Sequence, residues 1–295
     1  MLDGLHINRV AFTIPIGDGF PIFWYGILIT IGIAIGAWWA AREIERRGQS
    51  VDDLYNGLIL VVFSGYLFAR LTYVLLDVIS GAQYNSFIDV INIRSGGVNI
   101  LGGFVGAALV GLLYVRWRKL RFWHYADVAG PALLIAQAIG RWGNFINQEL
   151  YGPPTKLPWG ILIEPAFRLP QYRDLSQFPA TTRFHPTFLY ESLTLFIGFV
   201  LLVWLNNRYR DQWKPGTLFA IFLIWWGGNR TWIEFFRPDQ PTIGNSFVTY
   251  SMLTAFVIAL VGVYLLFQRY NKIPDKSARR RSKRVVKPKP KPRRS

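Results

Sequence analysis

Long apolar stretches alternate with short polar segments along most of this chain. A helix crosses the roughly 30 Å hydrocarbon layer of a bilayer with about 20 residues. Seven stretches are long and apolar enough to be predicted as such helices: 19–41, 54–76, 95–115, 123–140, 192–207, 215–229 and 240–268. Five of the seven contain no charged residue, although 192–207 and 215–229 are short. Arg70 lies within 54–76, and Asp127 and Pro131 interrupt 123–140. The pattern predicts an all-α polytopic membrane protein with about seven transmembrane helices.

The positions of Lys and Arg between these stretches predict the orientation of the chain. Short cytoplasmic loops of membrane proteins are enriched in Lys and Arg. Segments 42–53, 116–126 and 207–215 together carry ten Lys or Arg in 32 residues, whereas the alternate segments 1–18, 77–94, 141–191 and 230–239 carry nine in 97 residues. We therefore expect the dense segments and the C-terminus to be cytoplasmic and the N-terminus to lie outside.

Two further segments have an unusual composition. Segment 141–187 holds seven of the 17 prolines and many Trp and Phe residues. It is predicted to form an ordered extracytoplasmic cap within a membrane-embedded domain, 1–268. Segment 269–295 carries +12 of the net charge of +16, which predicts a disordered basic tail. Because it follows a predicted span directly, we expect it to contact anionic lipid instead of nucleic acid.

The residue types exclude several kinds of chemistry. The chain has no cysteine, so it forms no disulfide and supplies no thiol nucleophile or Cys-ligated metal site. The sequence also lacks a glycine-rich nucleotide loop, a His-Glu-x-x-His motif, an acidic pair for a metal and a Gly-x-Ser-x-Gly elbow. We therefore expect neither a metal nor a cofactor.

Polar residues within or at the ends of apolar stretches are candidates for function, because each is costly in a membrane unless it is paired or hydrated. Four clusters stand out: Arg70 with Tyr73 and Asp77, the run 140–149, the set Arg230, Glu234 and Arg237, and the run 185–191. Arginine presents a planar fork of donors suited to phosphate. The arginines of these clusters therefore favour recognition of a phospholipid headgroup, with Glu149 and Glu234 orienting them.

Three of the clusters also have a purely structural interpretation. Arg70 could extend its side chain to the membrane surface. Arg230 and Glu234 are one helical turn apart and could form a simple helix salt bridge. A lone histidine such as His185 is more often structural than catalytic.

The run from Gly140 to Gly152, Gly-Arg-Trp-Gly-Asn-Phe-Ile-Asn-Gln-Glu-Leu-Tyr-Gly, resembles the signature of the prolipoprotein diacylglyceryl transferase family. Four other motifs match the family in the same order along the chain: Trp24-Tyr25-Gly26, Arg70-Leu-Thr-Tyr73-Val, His185-Pro-Thr-Phe-Leu-Tyr190-Glu191 and Arg230-Thr-Trp-Ile-Glu234-Phe-Phe-Arg237-Pro-Asp239. The resemblance covers nearly everything except the tail.

The resemblance implies an enzyme of the bacterial inner (plasma) membrane with seven spans and an external N-terminus. It implies transfer of the diacylglyceryl group of phosphatidylglycerol to the lipobox cysteine of a prolipoprotein signal peptide. The products are a thioether and glycerol phosphate. The absence of cysteine from the chain fits this reaction, because the nucleophile belongs to the substrate.

The same resemblance implies roles for individual residues. Arg141 matches the family's phosphatidylglycerol-binding arginine, and Arg230 with Glu234 matches its second catalytic pair. We predict that the two arginines hold the phosphate and stabilise the charge that develops as it leaves. The predicted catalytic residues are Arg141, Arg230, Glu234, Tyr25 and Asn144. The predicted phosphatidylglycerol-binding residues are Arg141, Arg230, Arg70, Glu149, Gly152, His185 and Arg237.

The chain departs from the family at Leu101, which stands where the family commonly has a histidine proposed as the base for the thiol. Either another group (Glu234, Glu149, Tyr25 or His185) takes the proton, or the thiol pKa is lowered beside the arginines, or the chain is an impaired relative. A lipid or lipoprotein binder without catalytic activity is therefore the alternative function. A transporter is third, since we find no inverted repeat.

Overall fold

The computed structural model describes residues 8–271 except 16, 18, 85, 92–95 and 245. Most of the predicted basic tail, 272–295, therefore lies outside the described residues. The described part is mostly helical, with eight α-helices in chain order: α1 Trp24–Arg46, α2 Val51–Ile79, α3 Phe87–Ile91, α4 Ile100–Trp117, α5 Phe122–Ile146, α6 Thr187–Tyr209, α7 Thr217–Ile233 and α8 Tyr250–Tyr270.

Five of these helices are long and apolar enough to cross a membrane: α1, α2, α4, α6 and α8. This confirms a polytopic helical membrane protein. The two other long helices match the predicted spans 123–140 and 215–229 in position. However, α5 carries Asp127 and Arg141, and α7 has 17 residues. The count of seven spans therefore stays a prediction.

Several element boundaries differ from the sequence prediction. Helix α5 continues to Ile146, so the run that begins at Gly140 is largely helical instead of belonging to the predicted cap. Helix α8 begins at Tyr250, ten residues after the start of its apolar stretch, where the Thr249 hydroxyl accepts a hydrogen bond from the Met252 N–H. Apolar composition continues into 240–249, and composition alone does not mark where a helix begins.

The chain is also not purely α-helical. Strands β1 (Val10–Ile14) and β2 (Phe20–Phe23) form an antiparallel hairpin directly before α1. Strands β3 (Ile161–Leu162) and β4 (Arg183–Phe184) pair within the segment between α5 and α6. Both sheets are two-stranded. Strand β2 occupies the first residues of the stretch 19–41, which was predicted to be helical throughout, so the helix begins only at Trp24.

Close helix contacts are made where glycines remove side chains from the interface. Helix α1 packs on α5. A Cβ atom at Gly32 or Gly36 would lie 2.8 or 2.7 Å from the carbonyl oxygen of Ala136 or Ala132. Helices α2 and α4 meet in the same way at Gly102, Gly103 and Gly106. The glycine spacing therefore serves helix packing.

Helix α5 tolerates Asp127 because its buried carboxylate has three partners. Its two oxygens accept hydrogen bonds from the backbone N–H groups of Gly216 and Phe219, at 2.8 and 2.9 Å. Arg47 pairs with it at 3.1 Å. The carboxylate thus caps the N-terminus of α7, where negative charge is favourable, and joins α1, α5 and α7 at one end of the helix bundle.

The segment between α5 and α6 is ordered around its own small core. Tyr151, Ile161, Ile163, Phe184 and Phe188 are buried together. Arg168, 1% exposed, donates hydrogen bonds to the carbonyl oxygens of four residues: Ile163, Phe178, Pro179 and Ala180. A single guanidinium therefore ties the two halves of this segment together.

Candidate active site

Arginines and glutamates from three helices meet in one chain of ion pairs. Arg141, in the last turns of α5, lies 2.7 Å from the carboxylate of Glu191 in the second turn of α6. The same Glu191 oxygen is 3.9 Å from Arg230, near the end of α7. Arg230 in turn lies 2.9 Å from Glu234, which follows α7 directly. We call Arg141, Glu191, Arg230 and Glu234 the Arg–Glu cluster.

The acids of the cluster are more deeply buried than the arginines. The side chains of Glu191 and Glu234 are 5% and 0% exposed, whereas those of Arg141 and Arg230 are 20% and 15% exposed. Buried charges must be paired to be tolerated. The carboxylates therefore fix the guanidinium groups from the buried interior, and the arginines are the members of the cluster that a ligand can reach.

Helix α8 completes the support of the cluster through its first turn. The Thr249 hydroxyl donates a hydrogen bond to Glu234 Oε1 at 3.1 Å. Arg230 Nε donates to the Ser251 hydroxyl at 3.1 Å. Because Thr249 also caps α8, the start of this helix and the orientation of Glu234 depend on one side chain.

A second polar group extends the cluster toward α1. Asn144, 4% exposed, accepts a hydrogen bond from Arg141 at 3.3 Å and donates to Glu149 at 2.9 Å. Tyr25, at the start of α1, packs against Gly143, where any Cβ atom would overlap its ring. Tyr25 also interacts electrostatically with Glu149 and Arg141. The absence of a side chain at Gly143 thus brings the tyrosine beside the cluster.

Gly152 and His185 lie at the junction between the ordered segment and α6. The Gly152 N–H donates to the His185 carbonyl oxygen at 2.9 Å, and a Cβ atom at Gly152 would lie 2.7 Å from His185 Cβ. His185 Nδ1 is 3.1 Å from the Tyr190 hydroxyl. Burial lowers the pKa of the His185 imidazole, so the ring is neutral at neutral pH.

Arg237 forms a bidentate pair with Asp239, with nitrogen–oxygen distances of 3.2 and 2.9 Å. Burial alone would raise the pKa of Asp239, but the Arg237 guanidinium lowers it below its usual value. Arg237 lies close enough to Arg230 for their charges to interact. It therefore adds positive charge at the edge of the cluster.

Arg70 lies elsewhere and has other partners. It is 5% exposed, and its guanidinium donates to four backbone carbonyl oxygens, of Asp89, Val90, Gly96 and Gly97, at 2.7–2.9 Å. Within the described residues, these contacts are to the chain around α3 and not to the Arg–Glu cluster. Arg70 therefore neither extends to the surface nor joins the other predicted site residues; it holds the connection between α2 and α4.

Leu101 is 72% exposed in the first turn of α4. Its neighbour Gly102 is packed against α2, where a Cβ atom would overlap Thr72. The side chain of Leu101 thus points away from that helix interface and offers no proton acceptor to the site.

Glu191 is the main site residue that the sequence prediction omitted, although it ends the motif beginning at His185. The signal was available, since an acid near the start of an apolar helix needs a positive partner. The sequence could not show that this partner is two arginines from different helices. Among the described residues, no group of three or more His, Asp and Glu side chains lies close enough to hold a metal ion.

The arrangement is suited to binding a phosphate group. A guanidinium carries five N–H donors, so the pairs described above leave donors on both Arg141 and Arg230 for a further acceptor. Their forks are fixed by buried carboxylates and need little reorganisation when an anion binds. The site can therefore stabilise negative charge that grows on a bound phosphate.

Comparisons with known proteins agree with this geometry. The family model described as prolipoprotein diacylglyceryl transferase matches residues 9–268. A relative from Chloroflexus aggregans (strain MD-66 / DSM 9485), named phosphatidylglycerol–prolipoprotein diacylglyceryl transferase, is 42% identical over 249 residues, covering 81% of this chain and 78% of the relative. A relative of the same name from Bacillus cereus (strain G9842) is 37% identical over 263 residues, covering 89% of this chain and 93% of its own.

Proposed function

This chain belongs to the prolipoprotein diacylglyceryl transferase family, and we propose that its Arg–Glu cluster is the centre that binds the phosphate of phosphatidylglycerol during transfer. The chain is a transferase that moves the diacylglyceryl group of phosphatidylglycerol onto prolipoproteins, a step of bacterial lipoprotein maturation. The observation that carries the proposal is the chain of ion pairs from Arg141 through Glu191 to Arg230 and Glu234.

In the proposed reaction, the sulfur of the lipobox cysteine attacks the glyceryl carbon that is bonded to the phosphate oxygen. A carbon–sulfur bond forms, the carbon–oxygen bond breaks, and glycerol phosphate leaves with the bonding electron pair. The phosphate thereby changes from a diester with one negative charge to a monoester with two. Arg141 and Arg230 stabilise this additional charge, and Arg237 adds to the positive potential.

Glu191 and Glu234 are positioning residues in this mechanism. Glu234 is fully buried, and its two oxygens are engaged by Arg230 and by the Thr249 hydroxyl. Glu191 is also buried and lies between its two arginines. Both acids therefore orient the guanidinium groups and do not take the thiol proton.

Glu149 is the acid placed best to accept the thiol proton. It is exposed, lies beside Asn144 and Asn147, and interacts with Tyr25. Positive charge on Arg141 next to it also lowers the pKa of a thiol bound there. Leu101 is not needed in this mechanism, and membership of the family does not favour an impaired binder.

The surrounding membrane arrangement belongs to the same proposal. The protein lies in the inner membrane with seven spans, its N-terminus outside and its basic tail on anionic lipid in the cytoplasm. The segment 147–186 then covers the outer end of the bundle beside Arg141 and Glu191. His185 and Gly152 position this segment over the lipid phosphate, while Arg70 holds the connection between α2 and α4 away from the cluster.

The test is transfer by purified protein in detergent, with phosphatidylglycerol and a peptide that contains the lipobox cysteine. Mass spectrometry should show a diacylglyceryl adduct with the wild type and a loss of about 100-fold or more in rate with Arg141→Gln. The matched control is Arg116→Gln, because Arg116 is an exposed arginine at the far end of α4; its rate should be unchanged.

Two results would contradict the proposal. Equal rates for Arg141→Gln and Arg116→Gln would remove the arginine from the mechanism. A wild-type protein that is inactive, but gains activity with Leu101→His, would show that position 101 must supply the base.

A further inference from the structure

A second polar cavity lies at the opposite end of the helix bundle from the Arg–Glu cluster. Its volume is about 190 Å³, and His124, in the first turn of α5, and Asn206, in the last turn of α6, both line it. The Arg–Glu cluster uses the other ends of these two helices, at Arg141 and Glu191. The family's reaction therefore does not account for this cavity.

Two buried polar atoms beside the cavity have no hydrogen-bond partner. Asn206 is 2% exposed; its Oδ1 accepts a hydrogen bond from Arg47 Nη2 at 2.6 Å, but its Nδ2 is unpartnered. Exchanging the amide oxygen and nitrogen would not help, because Arg47 can only donate. The second atom is Nδ1 of His124, which is a donor in one tautomer of the ring. A buried donor without an acceptor costs free energy, so the unpartnered amide of Asn206 favours an acceptor in the cavity.

The lining of the cavity is also positively charged. Four cations line it, Arg46, Arg47, Arg210 and Lys214, against two acids, Asp127 and Asp211. A third acid, Glu43, is buried behind the lining and pairs with the three arginines, so the cations remain in excess. Asp127 is already used by Arg47 and by the N-terminus of α7. Lys214 donates to the carbonyl oxygen of Arg269 at 2.7 Å, so the basic tail begins beside the cavity. Its natural occupant therefore carries negative charge.

We propose that this cavity is a second phosphate site, separate from the site of transfer. The Asn206 amide and the His124 ring donate to phosphate oxygens inside the cavity, and Arg46, Arg210 and Lys214 balance the charge at its mouth. The cavity lies at the end of the spans, where lipid headgroups are. The phosphate is that of an anionic phospholipid headgroup or a free phosphate ion, and the same chemistry binds both.

The test uses the full chain in detergent with ¹⁵N-labelled histidine. The chain has three histidines, and the resonances of His124 and His185 report on the two ends separately. The protein is titrated with inorganic phosphate, with dioctanoyl phosphatidic acid and with dioctanoylglycerol, which lacks phosphate. Each titration is compared with sodium chloride at the same ionic strength.

The decisive variants are Asn206→Asp and its neighbour Asn207→Asp, which makes the same change at an exposed position. Asn206→Asp keeps an acceptor for Arg47 but removes the free donor and adds negative charge. We expect phosphate to shift the His124 resonance in the wild type and in Asn207→Asp. In Asn206→Asp the concentration for half the shift should rise about tenfold or more.

Each outcome decides between possibilities. A shift with inorganic phosphate identifies a free anion as sufficient; a shift with phosphatidic acid alone identifies the lipid headgroup. No shift with either, an equal shift with dioctanoylglycerol, or equal titrations of the two variants would overturn the proposal. If Asn206→Asp does not fold, Arg210→Gln, at a side chain that is 30% exposed, gives the same comparison against Arg208→Gln.

Discussion

At the scale of single residues, the site depends on Glu191 because one carboxylate separates two arginines. It lies 2.7 Å from Arg141 and 3.9 Å from Arg230. Without its charge, the two guanidinium groups would repel each other in a site that excludes most water. The distance between the arginine forks, and hence their fit to one phosphate, is therefore controlled by this glutamate.

We predict that Glu191→Gln lowers the free energy of unfolding by about 1–3 kcal/mol, because buried charged donors lose their acceptor. The KM for phosphatidylglycerol should also rise, since the two guanidinium groups are no longer held at a fixed separation. Glu191→Asp keeps the charge and should recover part of the lost affinity and stability. Transfer kinetics and thermal unfolding measure the two effects. The control is Glu45→Gln at an exposed glutamate of the same bundle. A KM unchanged by Glu191→Gln would show that the carboxylate does not position the arginines.

The sequence indicated which charged residues lie within apolar stretches, but it did not indicate which groups they contact. Arg141, Arg230 and Glu234 were selected because each must be compensated in an apolar helix, and they lie in one chain of ion pairs. Arg70 met the same criterion, yet its partners are carbonyl oxygens of residues 89–97. These backbone carbonyl oxygens can accept hydrogen bonds from Arg70 only because the chain turns around its guanidinium group. The residue types in this segment do not predict that turn. The four-carbonyl contacts of Arg168 were missed for the same reason.

At the scale of elements, the position of Tyr25 depends on how closely α1 approaches α5. Gly32 and Gly36 face Ala136 and Ala132 across this contact, with no room for a further methyl group. Long apolar stretches predicted both helices. The spacing of the glycines is typical of close helix packing, but it does not identify the partner helix, because small residues are spaced in the same way on α4.

We predict that Gly36→Ala lowers the melting temperature and the transfer rate together. The added Cβ atom would lie 2.7 Å from the Ala132 carbonyl oxygen, and such overpacking costs about 1–3 kcal/mol. Moving α1 outward also carries Tyr25 away from Gly143. The matched change is Gly228→Ala in α7, where a Cβ atom meets nothing within 4 Å. If both variants melt at the wild-type temperature, the α1–α5 contact is looser than described.

At the scale of the whole molecule, the two ends of the bundle have different chemistry. One end has the Arg–Glu cluster beneath the ordered segment 147–186. The other end has Glu43, Arg47 and Asp127 in a buried network and the start of the basic tail. The charge count in the loops predicts that the first end is outside and the second is cytoplasmic. This orientation gives a substrate delivered from outside direct access to the arginines.

The orientation can be tested cleanly because the chain contains no cysteine. Single cysteines are placed by Gln177→Cys in the ordered segment and by Gln212→Cys between α6 and α7, both at exposed glutamines. A membrane-impermeant maleimide added to intact bacterial spheroplasts should label Gln177→Cys at once and Gln212→Cys only after the membrane is permeabilised. The opposite pattern would invert the molecule and place the Arg–Glu cluster in the cytoplasmic leaflet. Labelling of both in intact cells would mean that the segment between α6 and α7 is also outside, so α6 would not cross the membrane. Because both glutamines are exposed and neither belongs to the Arg–Glu cluster, retained transfer activity shows in the same cells that the labelled protein is folded.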